Sequence, residues 1–189
     1  MKRAINMVFV CCLLVSAMPA PVAAQGKSVL GIELGSKFLL PGCGAGGGAV
    51  TSRPCVNADP VTRKPWGADE YHVAVPISGT PSYVRGELKV ATVGGIVESV
   101  QIGTWGIQAQ DGVLEALTRQ YGKPTRTRQQ KQPYSRTPAR FAEWDLADIS
   151  VRLHGSTGSI DWGLIEVSTR RYGKLVNEYE QRQSANASR

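Results

Sequence analysis

The chain has 189 residues, with 22 lysines and arginines against 15 aspartates and glutamates, two histidines and a formal charge of +7. That length allows one domain with a real core. The basic balance favours anionic partners such as lipopolysaccharide, phospholipid head groups or acidic proteins, and the scarcity of histidine works against an assembled hydrolytic site.

The first residues read as a secretory signal. Lys2 and Arg3 form a positive n-region, Met7 to Met18 is almost wholly apolar, Pro19 and Pro21 break that helix, and Val22-Ala23-Ala24 offers small residues to a signal peptidase. The apolar stretch, about 12 residues, is short of the ~20 needed to span a bilayer. Val8-Phe9-Val10 before Cys11 lacks the small residues of a lipoprotein signal. Residues 1–24 are therefore expected to be removed near Ala24, leaving a periplasmic or secreted protein. Its charge is still basic, and no second long apolar run marks it as an integral membrane protein.

Residues 25–66 read as a loop-rich N-terminal segment. Val29 to Leu40 supplies apolar side chains for a short strand or a docking segment, and Gly42 to Ala49 is too rich in glycine for regular structure. Once the signal is gone, Cys43 and Cys55 remain as an even pair, which an oxidising compartment turns into a disulfide. A metal pair or a reactive thiol are the competing readings. No histidine lies between the two cysteines, so the spacing is not a zinc pattern.

Residues 67–182 read as an α+β domain. Tyr71, Val73 and Val75 alternate with His72 and Ala74, and Glu87 to Ala91 and Ile96 to Ile102 follow as strands around a Gly94-Gly95 turn. Val113, Leu114, Leu117 and Tyr121 recur at helical spacing, with Asp111 as the expected N-cap, Gly122 as the expected left-handed C-cap and Pro124 as a stop. Phe141 to Leu146, Ile149 to Leu153 and Ile160 to Thr169 are three more strands, the last two an antiparallel hairpin. Leu175, Val176 and Tyr179 mark a short terminal helix before a polar tail at 183–189. The expectation is an antiparallel sheet of about five to six strands with one main helix packed on a face and a short C-terminal helix.

Gly31-Ile32-Glu33-Leu34-Gly35, Leu40-Pro41-Gly42-Cys43, Tyr121-Gly122-Lys123-Pro124-Thr125 and Ala142-Glu143-Trp144 resemble motifs of a group of short exported proteobacterial proteins with no assigned activity. The resemblance implies export and transfers no site, because its motifs are a cap, a disulfide and a strand.

Few residue patterns offer chemistry. Gly42 to Gly47 fits G-x-G-x-x-G, but Pro54 and a cysteine follow where a dinucleotide site needs a helix. Asp69-Glu70-Tyr71-His72, with Asp59, is the one dense group of possible metal ligands, and it lacks a third ligand in a defined geometry. Triads built from His72 or His154 have no Gly-x-Ser-x-Gly elbow, and Ser156 and Ser159 fall in a turn. Glu143 and Asp145 share a strand face, as the two acids of a glycosidase do. Lys123, Arg126, Arg128, Lys131, Arg136 and Arg140 lie in one segment free of acidic residues, with glutamines and Tyr134 among them. Arginine forks of this kind grip phosphates or carboxylates, while a solvated, mobile hairpin loop is the plain alternative. Trp66, Trp105, Trp144 and Trp162 divide between core filling and a carbohydrate-stacking face.

The expectation for function is a non-enzymatic envelope protein without metal, cofactor or catalytic residue. It would bind an anionic component or a protein partner, not nucleic acid, through Arg126, Arg128, Lys131, Arg136 and Arg140. A hydrolase of envelope polymers and a proteinaceous hydrolase inhibitor are the alternatives.

Overall fold

A computed structural model describes residues 27–44, 52–56, 60–133 and 135–187. The expected signal segment and its cleavage point, most of the glycine-rich motif, Asp59 and Tyr134 lie outside the described residues. In chain order the chain first forms a small separate hairpin of β1 (Ser28–Val29) and β2 (Ile32–Glu33). Short strands β3 (Cys55–Val56) and β4 (Thr62–Arg63) follow, and both pair with β5 (Asp69–Ala74).

The alternating apolar residues then build two antiparallel meanders of three strands, one on each side of a helix in sequence. The first runs through β5, β6 (Val84–Val93) and β7 (Ile96–Thr104), and α1 (Gly106–Tyr121) comes next. Beyond it lies β8 (Arg126–Gln132), which pairs with β9 (Ser135–Asp145). The second meander is β9, β10 (Ile149–His154) and β11 (Gly163–Thr169), and β11 joins it to β7.

Among the described residues the main sheet has nine strands in the order β3-β5-β6-β7-β11-β10-β9-β8, with β4 beside β5. It is larger than the five to six strands expected. Three strands make the difference: β3 and β4, at two residues each too short to show an alternation, and β8, whose sequence RTRQQKQ has no apolar alternation because an edge strand with almost every residue exposed needs none. The basic segment expected as a loop is thus one arm of a long hairpin. Gly94 and Gly95 turn β6 into β7 with φ of 61° and 74°, which suits glycine at both central positions.

One face of the sheet is sealed. Leu88, Val90, Val100, Ile102, Ile165 and Val167 point to it and pack with Val113, Leu117 and Tyr121 of α1 and with Val29, Ile32 and Leu34. Phe38 stacks near Tyr71 with ring centroids 4.6 Å apart, so the N-terminal segment docks beside α1 on the same layer. Trp144 is 1% exposed, and its indole N–H donates to Gly122 O at 2.7 Å. Cys43 and Cys55 form the disulfide, with Cα atoms 5.0 Å apart, and hold the loop-rich segment to the β5 edge.

Both ends of α1 depart from expectation. The helix begins at Gly106, not beyond Asp111; Trp105 is its N-cap residue and makes no side-chain cap bond. Gly106 has φ of 59°, and a Cβ there would collide with Ile160 O, so only glycine can start this helix where it meets the β10–β11 connection. Asp111 instead pairs with Arg140 at 2.6 Å. Gly122 does take a positive φ of 81°, but its ψ of −166° is extended, so the cap is not the left-handed one; its N–H donates to Thr118 O at 2.9 Å.

The C-terminal helix α2 (Arg170–Ala187) has 18 residues and runs through most of the expected tail. Its start is fixed by Thr169, whose Oγ1 accepts the Tyr172 N–H at 3.1 Å and donates to Glu98. Glu98, 2% exposed, also pairs with Arg171 at 3.1 Å, which places a carboxylate beside the first turn of the helix, where its dipole favours negative charge.

Candidate functional site

Helix α2 lies on the second face of the sheet and covers only part of it. It sits over a row of small residues, Ala91, Ser99, Ser168 and Ser150, which face one another in register across β6, β7, β11 and β10. Tyr172 and Val176 pack there against Ala68 and Ala91. Two residues further along each strand the face is open.

The first open row is charged. His72, Lys89, Gln101, Glu166, Arg152, Glu143 and Arg126 are consecutive cross-strand partners from β5 to β8. Partners directly opposite each other project on one face, so this row crosses the sheet over about 29 Å. From Glu166 to Arg126 the signs alternate. Arg152 Nε lies 3.3 Å from Glu143 Oε1, and Arg126 Nη1 lies 3.8 Å from Glu143 Oε2. Burial raises the Glu166 carboxyl above its ordinary value, with the Arg152 charge opposing.

The second open row is aromatic and apolar. Gly103, Leu164, His154, Phe141 and Arg128 are consecutive partners from β7 to β8. His154 meets Phe141 edge-on with centroids 5.5 Å apart, and the Arg128 guanidinium lies 4.0 Å above the Phe141 ring. Burial, then the charges of Arg152 and Arg128, lower the His154 pKa, so its ring is neutral at pH 7. At the β7 end the Trp162 ring comes down on the bare Cα of Gly103, where a Cβ would lie 3.1 Å from the indole. Arg85 fits between Trp162 and Trp105, 4.8 Å and 4.7 Å from their ring centroids, and its Nη1 donates to Asp161 O at 2.7 Å. Both tryptophans stay exposed, Trp105 at 47% and Trp162 at 40%.

Where the rows meet β8, β9 and β10 the surface dips into a groove of about 320 Å³, lined by Arg126, Arg128, Phe141, Glu143, Arg152 and His154 among others. The groove thus brings three guanidinium groups against one carboxylate. Arg126 and Arg152 each pair with an acidic side chain, whereas Arg128 has no acidic partner among the described residues. The arrangement can hold a planar or tetrahedral anion beside an aromatic ring.

Of the five arginines and lysines expected to act together, Arg126 and Arg128 reach this groove. Arg140 projects to the opposite face, where it pairs with Asp111 and its backbone N–H donates to Gln110 Oε1 at 2.7 Å. Lys131 and Arg136 are exposed near the hairpin tip, outside the groove lining. Glu143 and Asp145 do share a face, but both are held by arginines: Asp145 by Arg126 at 3.7 Å and Arg170 at 3.2 Å. Glu70 is buried between Lys64 and Lys89, at 3.1 Å and 3.8 Å, and Asp69 is bound by Arg63 at 2.8 Å. Among the described residues no group of three or more His, Cys, Asp or Glu side chains is placed to hold a metal ion. Ser156 donates to Ser159 O at 3.0 Å within the connecting turn.

Arg152 and Arg85 are groove and stack residues that sequence reading did not name, and His154, weighed there only as a triad histidine, lines the groove instead. The signal was present for two of them, since Arg152 and His154 alternate with Val151 and Leu153 on a half-buried strand. No protein-family model, curated protein or solved structure matches this chain.

Proposed function

We propose that the mature chain works outside the cytoplasm as a non-enzymatic binding module of the cell envelope, taking an anionic component or an acidic protein partner at the groove of β8, β9 and β10. The groove itself supports this reading: Arg126, Arg128 and Arg152 line it with Glu143 as the one carboxylate of the lining, Arg126 also reaches Asp145 at its rim, and Arg128 has no acidic partner among the described residues. A cation stacked on Phe141 is fixed in place without being neutralised, so it keeps its charge for a ligand. The Cys43–Cys55 disulfide suits an oxidising compartment. Among the described residues no helix is long and apolar enough to cross a membrane.

The test is titration of the mature protein with poly-L-glutamate and with inorganic polyphosphate, at low and high salt. Binding that weakens steeply with salt is expected. Arg128→Gln should reduce affinity about ten-fold, as loss of one charged hydrogen-bonding group does, whereas Lys131→Gln at the hairpin tip should change it less than about two-fold. Equal losses in the two variants, or no binding of either polyanion, would remove the groove from the reading.

A further inference from the structure

The groove is one end of a longer track. Trp162 over Gly103, then Leu164, His154, Phe141 and Arg128, follow one another across five strands, a distance of about 19 Å at sheet spacing. This line is flanked on one side by the charged row that contains Gln101, Glu166 and Arg152. Stacking surface and polar groups therefore run side by side along the same direction.

We infer that this track binds a linear acidic oligosaccharide, laid across the strands with sugar rings against the exposed indoles of Trp162 and Trp105 and its anionic groups toward Arg128, Arg126 and Arg152. The inference rests on the anion-binding reading of the groove and adds the class of ligand. Three observations favour a glycan. Arg85 covers one face of each indole and so fixes both rings, while 47% of Trp105 and 40% of Trp162 stays exposed to meet the C–H face of a pyranose. Gln101 and Glu166, both half-buried on the neighbouring row, offer amide and carboxyl groups to ring hydroxyls. The track also crosses the strands on a sheet face, where there are no main-chain groups to pair with. An extended peptide gains its affinity from such groups along a sheet edge, so the face does not suit it.

The experiment measures affinity for tetra-galacturonic acid, a linear acidic glycan, and for poly-L-glutamate, which carries carboxylates without sugar rings. The proteins are the mature chain and its Trp105→Leu, Trp162→Leu and Arg128→Gln variants. The expected result is about a ten-fold loss of tetra-galacturonate affinity in Trp162→Leu and a smaller loss in Trp105→Leu, with poly-L-glutamate affinity unchanged in both. Arg128→Gln should weaken both ligands. Trp162 packs on Gly103, so if its variant does not fold, the half-exposed Trp105→Leu carries the test alone. Tetra-galacturonate binding that ignores the tryptophan changes, or binding of poly-L-glutamate only, overturns the glycan and leaves the anion site standing. Binding of neither ligand overturns both.

Discussion

On the face that α1 and the N-terminal segment cover, Leu88, Val90, Val100, Ile102, Ile165 and Val167 are at most 5% exposed. On the opposite face, one residue along the same strands, stand Lys89, Gln101, Glu166 and Arg152 in register. The strands are shared, but the forces are different. The first face is held by removal of apolar surface from water. The second is held by cross-strand charge pairs and by α2 at one end, and exposed pairs of that kind contribute little to stability. The second face contributes little to the core, so changes on the two faces should separate stability from the binding proposed for the groove.

The largest effect is expected on the sealed face. Trp144→Ala empties a site that is 1% exposed and leaves Gly122 O without its donor. The loss should be about 3–5 kcal/mol, read from the urea unfolding midpoint. Gln101→Ala, on the open face of a central strand, should stay within about 0.5 kcal/mol of wild type. Comparable losses in the two variants would break the distinction between the faces.

A smaller effect sharpens the comparison at the sheet edge. Reduction of Cys43–Cys55, or the double change Cys43→Ser/Cys55→Ser, opens a loop of 12 residues' separation. The chain-entropy argument limits the cost to about 3 kcal/mol. Because β3 and β5 lie at the opposite edge from β8, the reduced protein should still bind poly-L-glutamate with wild-type affinity. A parallel loss of stability and affinity would show that the groove depends on the N-terminal segment.

The same division explains what could be read from the sequence. The six strands of the two meanders were visible because Tyr71/Val73, Val100/Ile102, Val151/Leu153 and their neighbours alternate toward a core. Helix α1 was visible through Val113, Leu117 and Tyr121, but its start was not, since Gly106 opens the helix for a tertiary reason, contact with the β10–β11 connection, and Asp111 serves Arg140. Strand β8 was invisible because an exposed edge has no apolar code. The basic segment pointed to Arg126 and Arg128, which the strand places as neighbours on one face. It could not show that Arg140 turns to the other face, nor that Arg152 arrives from β10, because both follow from register, which is set by pairing across the sheet.

The smallest expected effect concerns the titration of the open face. The Glu166 pKa is raised in the folded state by burial, so between its unfolded value near 4.5 and that higher value the folded chain holds more protons than the unfolded one. Stability contributed by the protonated carboxyl is therefore present at low pH and is lost as pH rises through the folded pKa. Glu166→Gln removes this dependence: relative to wild type it should gain stability at pH 7 and lose that advantage toward pH 4. His154 acts in the opposite sense. Its folded pKa is lowered, so below its unfolded value of 6.5 the unfolded chain holds more protons, and stability falls as pH drops through the folded pKa. His154→Gln should flatten that acid limb while leaving pH 8 unchanged, as urea midpoints across the range would show. If neither variant alters the profile, the two side chains are better hydrated than their burial implies, and the open face is wetter than the packing around Arg152 indicates.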